Sequence, residues 1–154
     1  DEGTMGIIIN RPHELSLGTL LSQMNIEAAS DSIKTTPLYD GGPVTPEHGF
    51  VLHRPLGDWE VTLPTSDEVG LTASKDIIEA IARNEGPEEY LIALGYAGWS
   101  AGQLEQEILD NSWLAGPANH SIIFNTPTEE RWATAAALLG VDDITLLSTD
   151  TGHA

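Results

Sequence analysis

The sequence predicts an α/β protein: a layered sandwich with a mixed sheet, parallel in its C-terminal part, and helices packed on it. In the last third, short apolar runs alternate with amphipathic stretches, the pattern of βαβ units with right-handed crossovers. In the middle third, short β-prone runs lie between turn-forming Pro, Gly and Asp, as in antiparallel pairing. The length of 154 residues with 40% hydrophobic content suits one domain, residues 1–154, with a core that needs no staples.

The elements follow in order. Met5 to Ile9 is an apolar run stopped at Asn10-Arg11-Pro12 and reads as a buried strand. Ser16 can cap a helix whose Leu17, Leu20, Leu21 and Met24 form one stripe at i, i+3, i+4 and i+7. Asn25 to Thr36 is polar and aperiodic, so a loop is expected there. Pro37 to Tyr39 reads as a brief strand ended by Asp40-Gly41-Gly42-Pro43, whose glycines reach backbone angles closed to other residues. Strands are expected at Phe50 to His53, Trp59 to Leu63 and Val69 to Thr72.

From Ser74 the period becomes helical. Ile77, Ile78 and Ile81 share a face, Asp76 complements the dipole at the start, and Gly86-Pro87 ends the segment. The expected remainder is strand Tyr90 to Tyr96, helix Ala101 to Asn111, strand Ser121 to Asn125, helix Pro127 to Leu139 and strand Ile144 to Leu147. Thr126 and Glu129 suggest a capping box for the last helix, with Pro127 at its first position and Gly140 past its end.

Composition narrows the function. With 24 acidic and 6 basic residues the net charge is −18, which opposes the counterion exchange that drives duplex binding; no direct nucleic-acid partner is expected. Cysteine is absent, which removes disulfides, thiolate metal sites and cysteine nucleophiles. No apolar run is long enough to span a membrane, so no membrane partner is expected. The opening Asp1-Glu2-Gly3-Thr4 is neither a leader nor an initiator, and a preceding segment is expected to be missing.

Gly98-Trp99-Ser100-Ala101-Gly102 fits G-x-S-x-G, the elbow that exposes a nucleophilic serine between a strand and a helix. Asp150, or Asp142 or Asp143, and then His153 follow in the chain order of a hydrolase triad. The same Ser100 with Gln103 also reads as an S-x-x-Q capping box. The cap is favoured, because it accounts for Gln103 and because too few strands precede Ser100 for a hydrolase sheet. Glu47, His48, His53 and His120 do not have the spacing of a metal site, and neither metal nor cofactor is expected. Gly95, Gly98 and Gly102 lack a phosphate-loop pattern; close packing of helix on strand explains them. Asn10-Arg11 and Gly98-Trp99 each follow an apolar strand, and if those strands were parallel the two segments would share an edge.

Taken together, GTMGIIINRP at Gly3 to Pro12, GGPV at Gly41 to Val44, the Phe50 to His53 strand, LGYAGWSAGQLEQEI at Leu94 to Ile108 and Trp113-Leu114 resemble the YqgE/AlgH family of bacterial proteins. The resemblance continues through Ile123-Phe124, Trp132 and Leu139-Gly140. It implies a cytoplasmic α/β sandwich with further N-terminal strands and a link to transcriptional regulation. No catalytic residues come with it, and the family motif does not require serine at position 100. The expectation is a non-enzymatic regulatory or ligand-sensing protein, with a small-molecule or protein partner. Its site is expected at an edge formed by Asn10, Arg11, Gly41, Gly42, His53, Trp99 and Gln103. A serine hydrolase using Ser100, Asp150 and His153 is the alternative, and a DNA-binding regulator the second.

Overall fold

The computed structural model describes residues 3–139. The chain forms β1 (Thr4–Gly6), β2 (Pro12–Ser16), α1 (Leu17–Gln23), α2 (Asp31–Lys34), β3 (Pro37–Asp40), β4 (Val44–Arg54), β5 (Thr62–Pro64), β6 (Gly70–Thr72), α3 (Lys75–Ala82) and β7 (Glu89–Trp99). α4 (Gln103–Leu109), α5 (His120–Phe124), a 3₁₀ turn (Thr128–Glu130) and α6 (Arg131–Leu138) complete it. The strands make a seven-stranded mixed sheet in the order β2-β3-β7-β4-β6-β5, with β1 added to the far end of β7. β3 and β7 are the parallel pair, and the β4, β5 and β6 pairings are antiparallel, as the middle section suggested.

Alternation along the strands sends side chains to two faces. Leu38, Val51, Ile92 and Leu94 point to one face, where they meet Leu17 and Leu21 of α1, Ile33 of α2 and Ile77, Ile78 and Ile81 of α3. Tyr39, Leu91 and Ala93 point to the other, where Ile7, Ile9, Leu52 and Phe124 cover them. Both predicted stripes, on α1 and α3, therefore lie in the main core.

The chain crosses β7 at Gly41-Gly42. β3 pairs with one edge of β7 up to Asp40 beside Leu94, and β4 starts on the other edge with Val44 beside Tyr96. Only three residues make the crossing, so they run directly against the strand. A Cβ on Gly42, which has φ +150°, would lie 2.1 Å from the Tyr96 carbonyl carbon, and one on Gly41 would lie 2.4 Å from the Gly95 oxygen. No side chain fits either position.

Several elements differ from expectation. The strand read over Met5 to Ile9 is confined to Thr4–Gly6, because Ile8 donates to the Gly41 carbonyl (3.0 Å) at the crossing and not to β7. The expected loop at Asn25 to Thr36 contains α2, capped by Ser30, whose Oγ accepts from Ile33 N–H at 3.4 Å. The strand expected at Ser121 to Asn125 is replaced by α5, which ends at Phe124; the Asn119 side chain accepts from Ile122 N–H (3.1 Å), and this cap overrides the β preference of Ile122-Ile123. The Thr126–Glu129 capping box does not form, since the Thr126 hydroxyl donates back to the Ser121 carbonyl (3.0 Å). Gly140 and the strand expected at Ile144 to Leu147 lie outside the described residues.

Candidate functional site

Gly102, at φ +79°, is the N-cap of α4, and Ser100 stands two residues before it. The Ser100 hydroxyl does not accept a main-chain proton. It donates to Gln103 Oε1 (3.1 Å), which also accepts from the Ser100 N–H (2.9 Å). The expected S-x-x-Q capping box therefore does not form: Gly102, not Ser100, is the cap, and Gln103 folds back to accept from both the Ser100 N–H and its hydroxyl. Gln103 Nε2 in turn donates to Glu107 Oε2 (3.0 Å). Two indoles converge on the other oxygen: Trp113 Nε1 at 2.8 Å and Trp99 Nε1 at 3.3 Å from Glu107 Oε1. The rings meet edge to face with centroids 5.8 Å apart. Donors from Trp113, then Gln103, then Trp99 hold the Glu107 carboxyl below the ordinary glutamate range. The predicted Trp99 and Gln103 thus belong to one cluster, whose acceptor, Glu107, sequence reasoning missed. Its one legible sign was the i, i+4 spacing from Gln103.

His53 is fully buried on β4. Its Nδ1 donates to the Pro55 carbonyl (3.0 Å), which can only accept, and its Nε2 lies 2.6 Å from the Thr72 hydroxyl on β6. Thr72 is buried as well and meets the Thr62 hydroxyl at 2.8 Å. A hydroxyl against an imidazole has the form of a nucleophile and base, but the pair is sealed inside the sheet. His53 sits beside Tyr90, nine residues along β7 from Trp99, which is about 30 Å at the rise of an extended strand.

Asn10 and Arg11 adjoin the crossing. Asp40 N–H donates to the Arg11 carbonyl (2.8 Å), which sets the Asn10-Arg11 backbone beside Gly41 and Gly42. The glycines are buried, Asn10 is half-buried, and the Arg11 side chain is exposed with no partner among the described residues. β1 runs antiparallel to β7 and puts Thr4, not Arg11, opposite Trp99. The structure therefore brings together Asn10, Arg11, Gly41 and Gly42, separately joins Trp99 to Gln103, and leaves His53 apart. Asp150 and His153 lie outside the described residues.

A second arginine lies at the Asn10-Arg11 segment. Arg131 is 7% exposed, donates from Nε to the Thr126 carbonyl (3.1 Å) and from Nη1 to the Ile9 carbonyl, and stacks its guanidinium 4.9 Å from the Tyr39 ring centroid. The Tyr39 hydroxyl meets the Thr128 hydroxyl at 2.7 Å, which fixes the ring. The legible sign was a cation in the first turn of a helix, where the macrodipole disfavours it.

Two clefts open elsewhere. One of about 370 Å³ is lined by Leu20, Met24, His48, Ser74, Lys75 and Ile78 among others, and one of about 380 Å³ by Leu114, Pro117, Ile122, Ala135, Leu138 and Leu139 among others. None of the residues predicted for the site lines either. Among the described residues no three potential metal ligands lie together, and no helix is long and apolar enough to cross a membrane.

The AlgH-like family model (DUF179) matches residues 1–143. The chain belongs to the AlgH-like family. Its similarity to a UPF0301 protein of Thioalkalivibrio sulfidiphilus is 53% identity over 154 residues, all of this chain and 82% of that protein. A UPF0301 protein of Nitrosococcus oceani is 50% identical over 99% of this chain and 81% of its own length. The solution structure of AlgH from Pseudomonas aeruginosa superposes with a TM-score of 0.80 at 45% identity, over 99% of this chain and 80% of that one. Protein DIP2367 of Corynebacterium diphtheriae, at 17% identity and a TM-score of 0.70 over 97% of this chain and 78% of that one, shares the fold. In this AlgH-like chain the G-x-S-x-G sequence closes a polar cluster around Glu107, and the GGPV sequence carries the crossing over β7.

Proposed function

We propose that this AlgH-like protein is a non-enzymatic regulatory protein that senses a small ligand or a protein partner by binding it. The observation that carries the reading is the Ser100 hydroxyl, which donates to the Gln103 amide oxygen and meets no imidazole among the described residues. The hydrogen-bonded histidines are occupied in ways that do not serve Ser100: His13 Nδ1 accepts from Leu15 N–H, His48 Nε2 meets the Ala73 carbonyl, and His53 is sealed with Thr72. The ligand edge is proposed at Asn10 and Arg11, where two polar side chains stand against the rigid backbone of the crossing. A charge of −18 argues against DNA as the partner.

The test is labelling with a serine-directed fluorophosphonate, alongside a metabolite panel scored by thermal shift. The expected result is no label and a ligand that raises the midpoint in the parent protein and clearly less in Arg11→Ala. Labelling that disappears in Ser100→Ala would restore the hydrolase. Tight duplex binding at physiological salt would restore the DNA-binding regulator.

A further inference from the structure

Of the 6 lysines and arginines in this chain, half have an acidic partner. Lys34 pairs with Asp31, Arg54 with Glu68 and Glu89, and Arg83 with Glu85. That leaves Arg11, Lys75 and Arg131 without an acid within 4.0 Å among the described residues, in a chain with 24 acidic residues. For Arg11 and Lys75, both exposed, this needs no explanation. For Arg131 it does. A buried guanidinium is ordinarily matched by a carboxylate, because a charge removed from water without a counter-charge is costly. Here the residue as a whole is 7% exposed, and the partners of its guanidinium are two neutral carbonyls and the face of a phenol ring.

The unused valence has a direction. Nε and Nη1 each hold a carbonyl, while Nη2 has no hydrogen-bond partner among the described residues. It is not sealed off either, because among those residues Trp59 Nε1 is the buried side-chain nitrogen or oxygen that lacks a partner. The other unpaired arginine is close. Arg11 follows Ile9, whose carbonyl Arg131 holds, by two residues, so the two Cα atoms are at most about 7 Å apart. Asn10 stands between Ile9 and Arg11, and the Asp40 carboxylate accepts from the Gly42 N–H (3.3 Å) and makes no ion pair with either arginine. The nearest acids in sequence, Glu129 and Glu130, are exposed on the 3₁₀ turn and make no ion pair with Arg131.

We infer that Arg131 and Arg11 form a binding site for a small oxyanion, a phosphate or carboxylate group of the sensed ligand. Arg131 Nη2 is the fixed donor and Arg11 the mobile second cation. Guanidinium suits this role because it stays charged when withdrawn from water and, with Nε and Nη1 held by carbonyls, Nη2 is fixed in place as a charged donor. The inference rests on the proposed binding function and gives its ligand a chemical class. On a chain carrying −18, an anion is favoured only where cations are left unpaired by acids, and Arg11 and Arg131 make no ion pair among the described residues.

Inorganic phosphate and citrate are titrated separately into the protein at constant ionic strength set with chloride, and the arginine Nε–H resonances are followed by ¹H–¹⁵N NMR. The expected result is a saturable shift of the Arg131 resonance with one of the two anions, and a rise of about 3–6 °C in the thermal midpoint at ten times Kd. Preference for phosphate assigns a phosphorylated ligand, and preference for citrate a polycarboxylate. Arg11→Ala is expected to weaken binding about tenfold while leaving the unliganded midpoint unchanged, as loss of a charge-assisted contact requires. Arg131→Lys keeps the charge, loses the fixed donor and is expected to bind more weakly still. If that variant does not fold, the resonance shift and Arg11→Ala decide the matter. No saturable shift with either anion, or equal binding by Arg11→Ala, overturns the inference. A metabolite that stabilises the protein without moving the Arg131 resonance would do so too, yet leave the binding function standing. Labelling of Ser100 would remove that function and leave the anion site.

Discussion

Replacing Thr72 with valine separates the structural from the ligand-binding reading of His53. The two side chains have nearly the same shape, so the change opens no cavity and removes one hydroxyl. That hydroxyl serves two neighbours, His53 Nε2 at 2.6 Å and Thr62 Oγ1 at 2.8 Å. Thr62 is half-buried and can recover a bond to water. His53 is fully buried and cannot. The cost is therefore mainly that of a buried polar atom left unmatched, about 1–3 kcal/mol, partly offset by the better transfer of a methyl group. For a chain of this size that corresponds to roughly 2–10 °C in the melting midpoint. Urea unfolding should show a lower midpoint at an unchanged m-value. Thr72→Ser should recover most of the loss, and ligand-induced thermal shifts should persist in Thr72→Val. A loss below about 0.5 kcal/mol, with ligand response abolished, would refute the reasoning and return His53 to the binding site.

The remaining predictions concern the crossing and the indole-bound carboxylate. Gly42→Ala should cost on the order of 3 kcal/mol or more, since its Cβ meets main-chain atoms that cannot move aside, while Gly102→Ala, whose Cβ meets nothing within 4 Å, should cost far less despite the shared positive φ; chemical denaturation compares them. Glu107 should titrate below ordinary glutamates by carboxyl ¹³C NMR, and Trp113→Phe should bring it back more than Trp99→Phe does, in the order of their contributions. Because its pKa in the folded state is depressed, the stability it contributes is complete above the unfolded value and disappears as pH falls through the folded one. Glu107→Gln should flatten that part of the stability profile.

Local information made α1, α3 and β7 legible. In α1 and α3 a stripe of branched aliphatics repeats at the helical period, and those residues are the ones buried. The misreadings came where a short-range cap or a long-range contact decided. Ile122-Ile123 looks like a strand core, but one Asn119 side chain nucleates a turn there. Gly41-Gly42 was legible as a strand end with backbone angles closed to other residues, whereas its passage over β7 depends on Tyr96 and Ala97, more than fifty residues away in sequence. The expected edge joined Arg11 to Trp99 on the assumption of parallel strands; antiparallel pairing of β1 with β7 separates them. Arg131 could be singled out only as a cation misplaced in the first turn of a helix; its contact with Ile9, 122 positions distant, was not legible.

β7 fills the middle of the sheet, yet it is made after every strand it separates. In the sheet β3 and β4 each pair with β7 and not with each other, so residues 3–88 alone lack the strand that joins its two halves. Closure waits for residues 89–99 to insert between them, so this insertion should limit the folding rate, as expected where distant pairings dominate. Until then the nascent chain carries two open edges prone to self-association, and its dependence on chaperones should fall once the tryptophan at position 99 has cleared the exit tunnel.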